Sequence, residues 1–386
     1  EPIKLLFKDE VRVVGEALEG ERRKRVHIAT KQPFAAMTDA STIRRNLENT
    51  LKKLRTDYLD VYLIHNIQAP AWPEIQRRDI LNEYEKFKQE GLIRAIGFSY
   101  HGGLDTFRQV LSYYPWAMCQ VQQNLLDSAK EVTEEGVRLA GEKGCALVIM
   151  EPLRGGGLAS APSQVQAVYD GYPVRRSAAE WAFRYMIDQP QVSCILSGVT
   201  TLDQLKDNLR IFSAPDAVPG CLSEQDRRLL QRAKAAYESR VTIPCTGCEY
   251  CLPCPQGVAI PAVFQRYNAG EMFQDYNNPR RSYLFLKRAG KDASRCVACG
   301  ACAAVCPRHL IDLVPYKAEH LVQCNSHDKG ADVKKKCDAG CIGCTLCTKQ
   351  CEADAIHMDN NVAVIDYEKC TNCGKCAEKC PAKVIL

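Results

Sequence analysis

Cysteines dominate the chemistry available to this 386-residue chain, because 16 of its 22 cysteines stand in four short groups. The groups read CTGCEYCLPCP from Cys245, CVACGACAAVCP from Cys296, CIGCTLCTKQC from Cys341 and CTNCGKCAEKCP from Cys370. Three closely spaced thiolates followed by a fourth are typical of a cubane iron–sulfur cluster. Zinc knuckles have no use for a third and fourth cysteine at this spacing, and disulfide scaffolds scatter their cysteines through short secreted chains. The pattern therefore predicts iron–sulfur clusters and electron transfer.

The four groups also predict which cysteines share a cluster. In paired motifs of this kind the fourth cysteine reaches over to the neighbouring cluster, so four motifs predict two modules of two 4Fe-4S clusters each. The predicted ligands of clusters one and two are Cys245, Cys248, Cys251 and Cys306, and Cys296, Cys299, Cys302 and Cys254, respectively. Those of clusters three and four are Cys341, Cys344, Cys347 and Cys380, and Cys370, Cys373, Cys376 and Cys351.

Six cysteines lie outside the predicted ligand sets. Cys119, Cys145, Cys194 and Cys221 fall in the N-terminal half, mostly in or beside predicted strands, and are expected to be small core residues. Cys324 and Cys337 admit three interpretations, namely structural thiols, spare ligands or a redox pair.

The charge and composition of the chain indicate which kinds of partner and cellular location to expect. The formal net charge is +5 with cysteines counted as neutral, but four oxidised cubanes with their thiolates contribute about −8, which leaves the assembled protein at about −3. That balance argues against a nucleic-acid partner. No run of 18 apolar residues and no basic-then-apolar leader is visible, so we expect no membrane span and no export. Dense thiolate ligation then predicts the reducing cytoplasm, as in an anaerobe.

The residues before the cysteine motifs are predicted to form a separate domain with a possible active site of its own. Residues 1–240 alternate short apolar runs with amphipathic stretches, which is the pattern of a parallel α/β domain. Strands are expected at 26–30, 59–65, 93–99, 118–124, 146–152 and 192–199, and helices at 39–54, 74–90, 130–143, 177–188 and 202–211. A closed (β/α)8 barrel needs eight strands, two more than this pattern provides. Two ferredoxin-like α+β modules are predicted to follow, at 241–310 and 337–386, with a connector at 311–336.

Polar side chains close several of the predicted strands, which is where such a barrel places its chemistry. Lys31 ends VHIATK, His65 ends YLDVYLIH, Ser99 ends IRAIGFS, and Gln122 and Asn124 end CQVQQN. The glycine-rich stretch MEPLRGGGLA and the loop of LSGVTTLDQLKDNL, which leads into a helix, offer backbone amides to a phosphate.

In this order and at these spacings, the residues from about 8 to 240 resemble an aldo/keto reductase, and the resemblance to its subgroup with a C-terminal ferredoxin-like extension continues to about Pro307. The resemblance implies an NADPH-binding barrel in which Lys31 and His65 are members of the catalytic tetrad. Ser99 and Gln122 would hold the nicotinamide carboxamide. The phosphates and adenosine would be held by Pro152, Leu153, Arg154, Gly155, Gly156, Ser197, Gly198, Thr200, Gln204 and Asn208.

The sequence departs from that family pattern at its beginning. The tetrad aspartate and tyrosine should precede GEAL, but the stretch there reads EPIKLLFKDEVRVV and the first tyrosine is Tyr58. Gln123 stands where an aromatic residue usually stacks on the nicotinamide. A missing N-terminal segment is the favoured explanation, with a completing partner or a remodelled domain as alternatives. Tyr58 or Tyr100 would be the substitute acid if the barrel were catalytic.

The sequence from about Arg295 to the C-terminus resembles a second family. The stretches VQCNSHDKGADVKKKCDAGCIGCTLC and AIHMDNNVAVIDYEKCTNCGKCAEKCP are similar to the B subunit of the Rnf-type ferredoxin:NAD oxidoreductase. This resemblance implies a series of clusters that accept electrons from soluble ferredoxin, although the family's membrane-anchoring helix is not seen here. The two resemblances meet within Cys296–Pro307, as a natural fusion or an engineered chimera would produce.

Two functions follow from these expectations. The first is an iron–sulfur electron-transfer protein that works with ferredoxin or other redox subunits, with room for peripheral association with a membrane redox complex. The second is a reductase whose clusters supply electrons to a barrel site. Nicotinamide exchanges two electrons at once and a cubane exchanges one, so the second function requires a flavin between them. The barrel phosphate loops suit FMN as well as NADP.

Overall fold

The computed structural model describes residues 11–127, 131–315, 317–337 and 340–386, and these residues form two compact units. One unit contains the chain up to Val241 together with Glu271–Asp275. The other contains Thr242–Gly270 and Tyr276–Leu386, and therefore all four cysteine motifs.

The first unit is built on a six-stranded parallel sheet whose strands follow one another in chain order. The strands are β1 Ala29–Pro33, β2 Leu59–Ile67, β3 Ile93–Tyr100, β4 Met118–Gln122, β5 Ala146–Met150 and β6 Val192–Ile195. Parallel neighbours in chain order require a helix between successive strands, which is the construction of a (β/α)8 barrel. Within the described residues, β1 and β6 each pair with a single strand. The sequence-based prediction of six parallel strands is confirmed.

The first three strands run past their predicted ends, and the last three stop early, β4 at Gln122, β5 at Met150 and β6 at Ile195. Lys31 lies in the middle of β1, opposite Leu63 of β2, and His65 and Ser99 are followed by further strand residues. The expected strand 192–199 ends at Ile195, because the following residues leave the sheet as the loop before α10 (Leu202–Phe212).

The helices of this unit cover the outside of the sheet. The segment 11–17 is helical (α1), and it is followed by α2 Glu21–Lys24, α3 Ala40–Leu54, α4 Trp72–Arg77, α5 Ile80–Gln89, α6 Leu104–Tyr113, α7 Thr133–Glu142, α8 Ser163–Asp170, α9 Ala178–Ile187, α10 Leu202–Phe212 and α11 Glu224–Glu238. The helix expected at 74–90 is two helices, because Asp79 adopts a left-handed backbone (φ 49°) that ends the first. Part of the helix expected at 130–143 lies outside the described residues, and α7 begins at Thr133.

Helix α3 illustrates how the local sequence fixes an element. Asp39 caps its N-terminus by accepting a hydrogen bond from the backbone N of Thr42 at 2.9 Å, and the left-handed Arg55 ends it. The residues buried against the sheet recur every three or four positions, namely Ile43, Leu47, Leu51 and Leu54. That period places them on one face of a helix, which packs against the core of β2, β3 and their neighbours.

The second unit has short elements around the cysteine motifs. They are α12 Ile260–Phe273, α13 Asn277–Arg288, α14 Ala301–Val305, α15 Gly330–Lys336, α16 Leu346–Lys349, the antiparallel pair β7 Ile356–Asp359 and β8 Val362–Ile365, and α17 Lys375–Glu378. Residues 321–323 hydrogen-bond to 384–386, and Val322 packs into the same apolar cluster as Ile356 and Ile385. The second module thus includes part of the stretch that the sequence suggests is a connector. No helix within the described ranges is long and apolar enough to cross a bilayer.

Candidate iron–sulfur sites and barrel cleft

Two cavities in the second module are each lined by four cysteines drawn from two motifs. One is lined by Cys341, Cys344, Cys347 and Cys380. The other is lined by Cys351, Cys370, Cys373 and Cys376. In each, three cysteines come from one motif and the fourth comes from the other, which is the crossed arrangement that the motif spacing predicts.

The first module has a larger cavity of about 370 Å³ around the second motif. Its lining includes Cys296, Cys299 and Cys302 together with Cys254 of the first motif, and Cys251 also borders it. We refer to this space as the cluster-two cavity. Of the remaining group, Cys251 lies close enough to Cys245 and Cys248, and also to Cys302 of the second motif, for their charges to act on its thiol. Cys306, the other member expected there, follows α14 and is half-buried.

Burial keeps several of the motif thiols protonated in the absence of metal. Burial raises the pKa of Cys347 to about 11, and burial also raises the pKa of Cys251 and Cys376. A buried thiol at neutral pH is therefore protonated, and cluster binding would release that proton. The donor set fits a cubane, in which each thiolate binds a separate iron. Among the described residues, no three His, Cys, Asp or Glu side chains form a site for a single metal ion.

Backbone amides donate hydrogen bonds to the last cysteine of the third motif and to that of the fourth. The backbone N of Ala355 donates to Cys351 Sγ at 3.2 Å, and the backbone N of Val384 donates to Cys380 Sγ at 3.4 Å. Hydrogen bonds to cluster sulfurs are one of the factors that set reduction potential. In both cases the donor lies four residues after the last cysteine of a motif, so the two halves of this module are built alike at this point.

The cysteines outside the motifs differ in environment. Cys119 and Cys145 are buried in the core, as expected, but Cys194 is exposed. The expectation of a core residue is wrong for Cys194, because β6 is at the edge of the described sheet. Cys324 packs against the apolar cluster of the second module, and its Sγ accepts a hydrogen bond from the backbone N of Cys341 at 3.2 Å. This contact indicates a structural role beside a ligand.

The first unit contains a cleft of about 890 Å³ at the carboxyl ends of the strands. The lining includes eleven of the fourteen residues expected to be catalytic or to bind the cofactor, namely Lys31, Gln122, Pro152, Leu153, Gly155, Gly156, Ser197, Gly198, Thr200, Gln204 and Asn208. The other three, His65, Ser99 and Arg154, are not part of its lining. We refer to this space as the barrel cleft.

Lys31 and His65 lie close enough to interact electrostatically. Burial lowers the pKa of Lys31 below its usual value. Burial also lowers the pKa of His65, and the positive charges of Lys31 and His101 lower it further. His65 is therefore a neutral imidazole near pH 7, able to donate or accept a hydrogen bond but carrying no charge.

Ser99 and Arg154 have partners away from the cleft. Ser99 is 1% exposed, and its Oγ accepts a hydrogen bond from the backbone N of Asn66 at 2.8 Å, which fixes the end of β2. The guanidinium of Arg154 lies 3.5 Å from Asp127 and over the ring of Phe273.

Asp127 holds three polar side chains together beside the barrel cleft, although no pattern in the sequence identifies it as a functional residue. Its buried carboxylate accepts hydrogen bonds from Gln122 Nε2 and Asn124 Nδ2, both at 2.8 Å, and pairs with Arg154. The carboxylate therefore orients the Gln122 amide. Gln123, the next residue, is fully buried, and neither of its side-chain polar atoms has a hydrogen-bond partner.

The two loops that the sequence suggests for phosphate binding have backbone amides that already donate hydrogen bonds within the protein. Gly155 and Gly156 both have positive φ (64° and 93°), so their loop needs glycine, and the backbone N of Gly156 donates to the carbonyl of Leu153 at 3.0 Å. At the start of α10, Gln204 Oε1 accepts hydrogen bonds from the backbone N of Thr200 at 2.8 Å and of Thr201 at 3.3 Å. A phosphate at this helix N-terminus would take the place of the Gln204 side chain.

Neither tyrosine suggested as a substitute acid reaches the barrel cleft. Tyr58 precedes β2, at the opposite end of the strand from His65, and Arg23 and Arg94 lie over its ring at 4.2 and 3.9 Å. Tyr100 is fully buried, and its hydroxyl donates to the carbonyl of Gly103 at 2.7 Å. These two suggestions are therefore wrong.

Sequence reasoning missed several polar residues of the cleft. His101, Gln120, Glu151 and Asp207 line it as well. His101 directly follows the last residue of β3, so the rule that placed Lys31 and His65 at strand ends would have found it. Gln120 alternates with Gln122 along β4, and the period of two would have placed both on one face.

Comparison with known proteins agrees with this division of the chain. A family model for the aldo/keto reductase family matches residues 10–217, and one for a 4Fe-4S dicluster domain matches residues 244–311 and 340–385. The B subunit of the Na(+)-translocating ferredoxin:NAD(+) oxidoreductase complex of Acetobacterium woodii is 43% identical over 94 residues, which is 24% of this chain and 28% of that protein. The B subunit of the ion-translocating oxidoreductase complex of Methanosarcina acetivorans is 56% identical over 64 residues, which is 17% of this chain and 24% of that protein.

The chain thus spans about a quarter of the length of these two relatives, which match its C-terminal region. Among solved structures, the holo form of aldo-keto reductase AKR11C1 from Bacillus halodurans is 25% identical, with a TM-score of 0.49 over 58% of this chain and 76% of that chain. Since the aldo/keto reductase model matches more than half of the residues, the chain belongs to the aldo/keto reductase family, and 4Fe-4S ferredoxin domains are fused to its C-terminal side.

Proposed function

We propose that this chain is an electron-transfer oxidoreductase in which four 4Fe-4S clusters carry electrons one at a time, from or to ferredoxin, within a larger redox complex. The observation that carries the proposal is the grouping of cysteines from two motifs around each of three cavities. Crossed sharing of ligands requires both motifs of a module for either cluster to be complete. The segments 241–310 and 337–386 would therefore each act as one two-cluster unit.

The partners follow from the relatives and from the chemistry. One relative of the C-terminal region is named as part of a ferredoxin:NAD(+) oxidoreductase complex, and the other as part of an ion-translocating complex. Thiolate ligation at this density requires a reducing compartment. We therefore assign the chain to the cytoplasm, where it would exchange electrons with ferredoxin and associate peripherally with a membrane redox complex.

Metal analysis of the anaerobically purified chain tests the proposal. The expected content is about 16 iron and about 16 sulfide per chain, four of each for every cubane. Electron paramagnetic resonance of the reduced protein should account for the same number of clusters. A reproducible content near half of that value, or stoichiometric zinc in place of iron, would contradict the assignment.

A second function is favoured by the barrel cleft. Its 890 Å³ volume, the half-buried Lys31 and the glycine loop at Gly155–Gly156 suit a dinucleotide or flavin phosphate. In this alternative the barrel would transform a substrate with NADP or FMN, while Lys31 and His65 polarise and orient a carbonyl. Iron–sulfur clusters would then supply or remove electrons, through a flavin if nicotinamide also takes part.

Analysis of small molecules released from the denatured protein distinguishes these functions. Stoichiometric FMN or NADP would support the catalytic barrel. Lys31→Met and Gly156→Val variants should then lose the bound molecule, whereas the iron content should not change. Wild-type protein that binds neither FMN nor NADP in titrations would leave the barrel as a scaffold for electron transfer.

A further inference from the structure

Helix α13 (Asn277–Arg288), which lies between the first two cysteine motifs, has two faces of different character. Its half-buried face is formed by Pro279, Ser282, Tyr283 and Leu286. Its exposed face is formed by Arg281, Leu284, Phe285 and Arg288. Both sets follow the i, i+3, i+4, i+7 spacing of one helix side. We refer to the second set as the α13 outer face.

The α13 outer face combines large apolar side chains with positive charge. Leu284 is 49% exposed and Phe285 is 58% exposed. The Arg288 guanidinium lies 6.0 Å from the centre of the Phe285 ring. Aromatic side chains and arginine are enriched in protein–protein interfaces, whereas an adjacent pair of exposed apolar residues has no folding benefit on a solvated helix.

The charge around this face has a single sign. From Tyr276 to Lys291 the sequence has five basic residues and no acidic one, namely Arg280, Arg281, Lys287, Arg288 and Lys291. The C-terminal part of the chain is balanced by comparison, since residues 317–386 contain ten lysines and ten acidic residues. The cubanes add negative charge to both modules. The segment 276–291 is therefore the positive part of the iron–sulfur region, and it is complementary to an acidic protein.

This helix is attached directly to the wall of the cluster-two cavity. The Tyr283 hydroxyl accepts a hydrogen bond from the backbone N of Ala293 at 3.0 Å, and Ala293 and Cys296 both line that cavity. The backbone N of Ala259 donates to the carbonyl of Lys291 at 2.9 Å. This bond connects the segment after α13 to the segment that follows the first motif. Because Tyr283 is on the half-buried face, a protein bound to the α13 outer face would be separated from this cavity wall by the thickness of one helix, about 10–12 Å.

We propose that the α13 outer face docks an acidic iron–sulfur electron-carrier protein and that electrons enter or leave the chain at the cluster-two cavity. The inference rests on the proposed electron-transfer function and adds to it the site and the charge of the partner. In the reducing direction, the carrier would lose one electron to the cluster that Cys254, Cys296, Cys299 and Cys302 would hold. No bond is made or broken, and no proton is transferred.

Charge reversal on this face provides the test. The variant Arg281→Glu/Arg288→Glu is compared with Lys334→Glu/Lys335→Glu, which makes the same change of charge at the other basic cluster of the iron–sulfur region. The probe is a purified bacterial two-cluster ferredoxin with net negative charge. Its Kd for each holoprotein and its second-order rate of electron transfer are measured at about 20 mM and about 500 mM salt. Reduction by titanium(III) citrate controls for the clusters themselves.

The proposal predicts that the α13 variant binds ferredoxin at least about 10-fold more weakly at low salt and loses most of the salt dependence. The lysine control should stay within about twofold of the wild type, and all three proteins should be reduced equally fast by titanium(III) citrate. A Phe285→Ser variant should weaken binding at both salt concentrations, because its contribution is apolar.

Equal effects of the two charge reversals, or none from the α13 variant, would overturn the docking site while leaving the electron-transfer function intact. A wild-type holoprotein that titanium(III) citrate reduces but ferredoxin neither binds nor reduces would overturn the ferredoxin partner and the docking site together. Slower reduction of the α13 variant by titanium(III) citrate would assign the effect to the cluster and would also contradict the proposal.

Discussion

Cys380, at the end of the fourth motif, lines the same cavity as Cys341, at the beginning of the third motif. Cys351, at the end of the third motif, lines the cavity of the fourth in return. The two motifs therefore exchange their last cysteines, and the order of the ligands along the chain differs from their grouping in space.

This exchange predicts which cluster is lost when a motif-ending cysteine is replaced. Cys380→Ala should eliminate the cluster on Cys341, Cys344 and Cys347, while Cys351→Ala should eliminate the one on Cys370, Cys373 and Cys376. Each variant should lose about four of 16 irons if the damage stays local. Electron paramagnetic resonance of the two variants should show complementary losses. Each substitution eliminating the cluster of its own motif would contradict the crossed assignment.

Carbonyl reduction with NADPH should be at least about 10²-fold slower for this chain than for an ordinary reductase, because a well-placed proton donor contributes that much. The Tyr100 hydroxyl is engaged with Gly103, and Tyr58 lies at the wrong end of β2. Steady-state turnover of a simple aldehyde measures the effect. Ordinary turnover that Lys31→Met abolishes would contradict this prediction, and its loss in His101→Gln would identify an imidazole as the donor.

The pKa of His65 should rise toward its ordinary value when a neighbouring positive charge is removed. Burial is the largest cause of its low pKa, and Lys31 and His101 lower it further. In a histidine NMR titration, Lys31→Met should therefore raise the pKa of His65, whereas Lys53→Met, on the exposed side of α3, should leave it unchanged. An unchanged His65 pKa in Lys31→Met would show that the two groups do not interact.

The lowered pKa of His65 also predicts how the unfolding free energy depends on pH. Because the folded pKa of His65 lies below the unfolded value near 6.5, the unfolded state binds more protons between the two values. The unfolding free energy should therefore fall as the pH drops from about 6.5 through the folded pKa. His65→Gln should make this fall smaller, and thermal melts of the two proteins across that interval measure the difference.

Gly330 should be irreplaceable in the second module. A Cβ at this position would lie 2.1 Å from the carbonyl oxygen of Ile342, which lines the same cavity as Cys341 and Cys380. Gly330→Ala therefore requires the backbone to move. We expect it to destabilise the module by about 1–3 kcal/mol and to lower its iron content. Gly103→Ala, where a Cβ meets nothing within 4 Å, is the matched control. Equal melting temperatures and iron contents for the two variants would contradict the expected clash.

Local patterns predicted the parts of the molecule that depend on short-range rules. Cysteine spacing predicted the ligand groups, apolar runs indicated six strands, and Asp39 and Ser41 were the two candidate caps of α3, of which the structure has Asp39. Such patterns contain no information on how distant segments pair. The sequence therefore could not reveal that residues 321–323 pair with 384–386, or that Asp127 would join Gln122 to Arg154.

The errors in the candidate site have a related cause. The sequence identifies a tyrosine as a possible proton donor but does not show where its hydroxyl points. Tyr58 and Tyr100 were therefore both candidates until the structure showed their positions. Gln204 lines the barrel cleft, as its position predicts, but the sequence did not show that its amide oxygen also caps α10. A side chain that can bind either backbone or ligand is assigned only by the structure.

The number of electrons that the chain accepts tests the central claim most directly. Coulometric reduction of the anaerobic holoprotein, followed by electron paramagnetic resonance, should show uptake of about four electrons in one-electron steps, one for each cubane. Cys380→Ala should accept about one electron fewer. Uptake of electrons only in pairs, with no paramagnetic cluster at any potential, would contradict the account of this chain as a series of four iron–sulfur clusters.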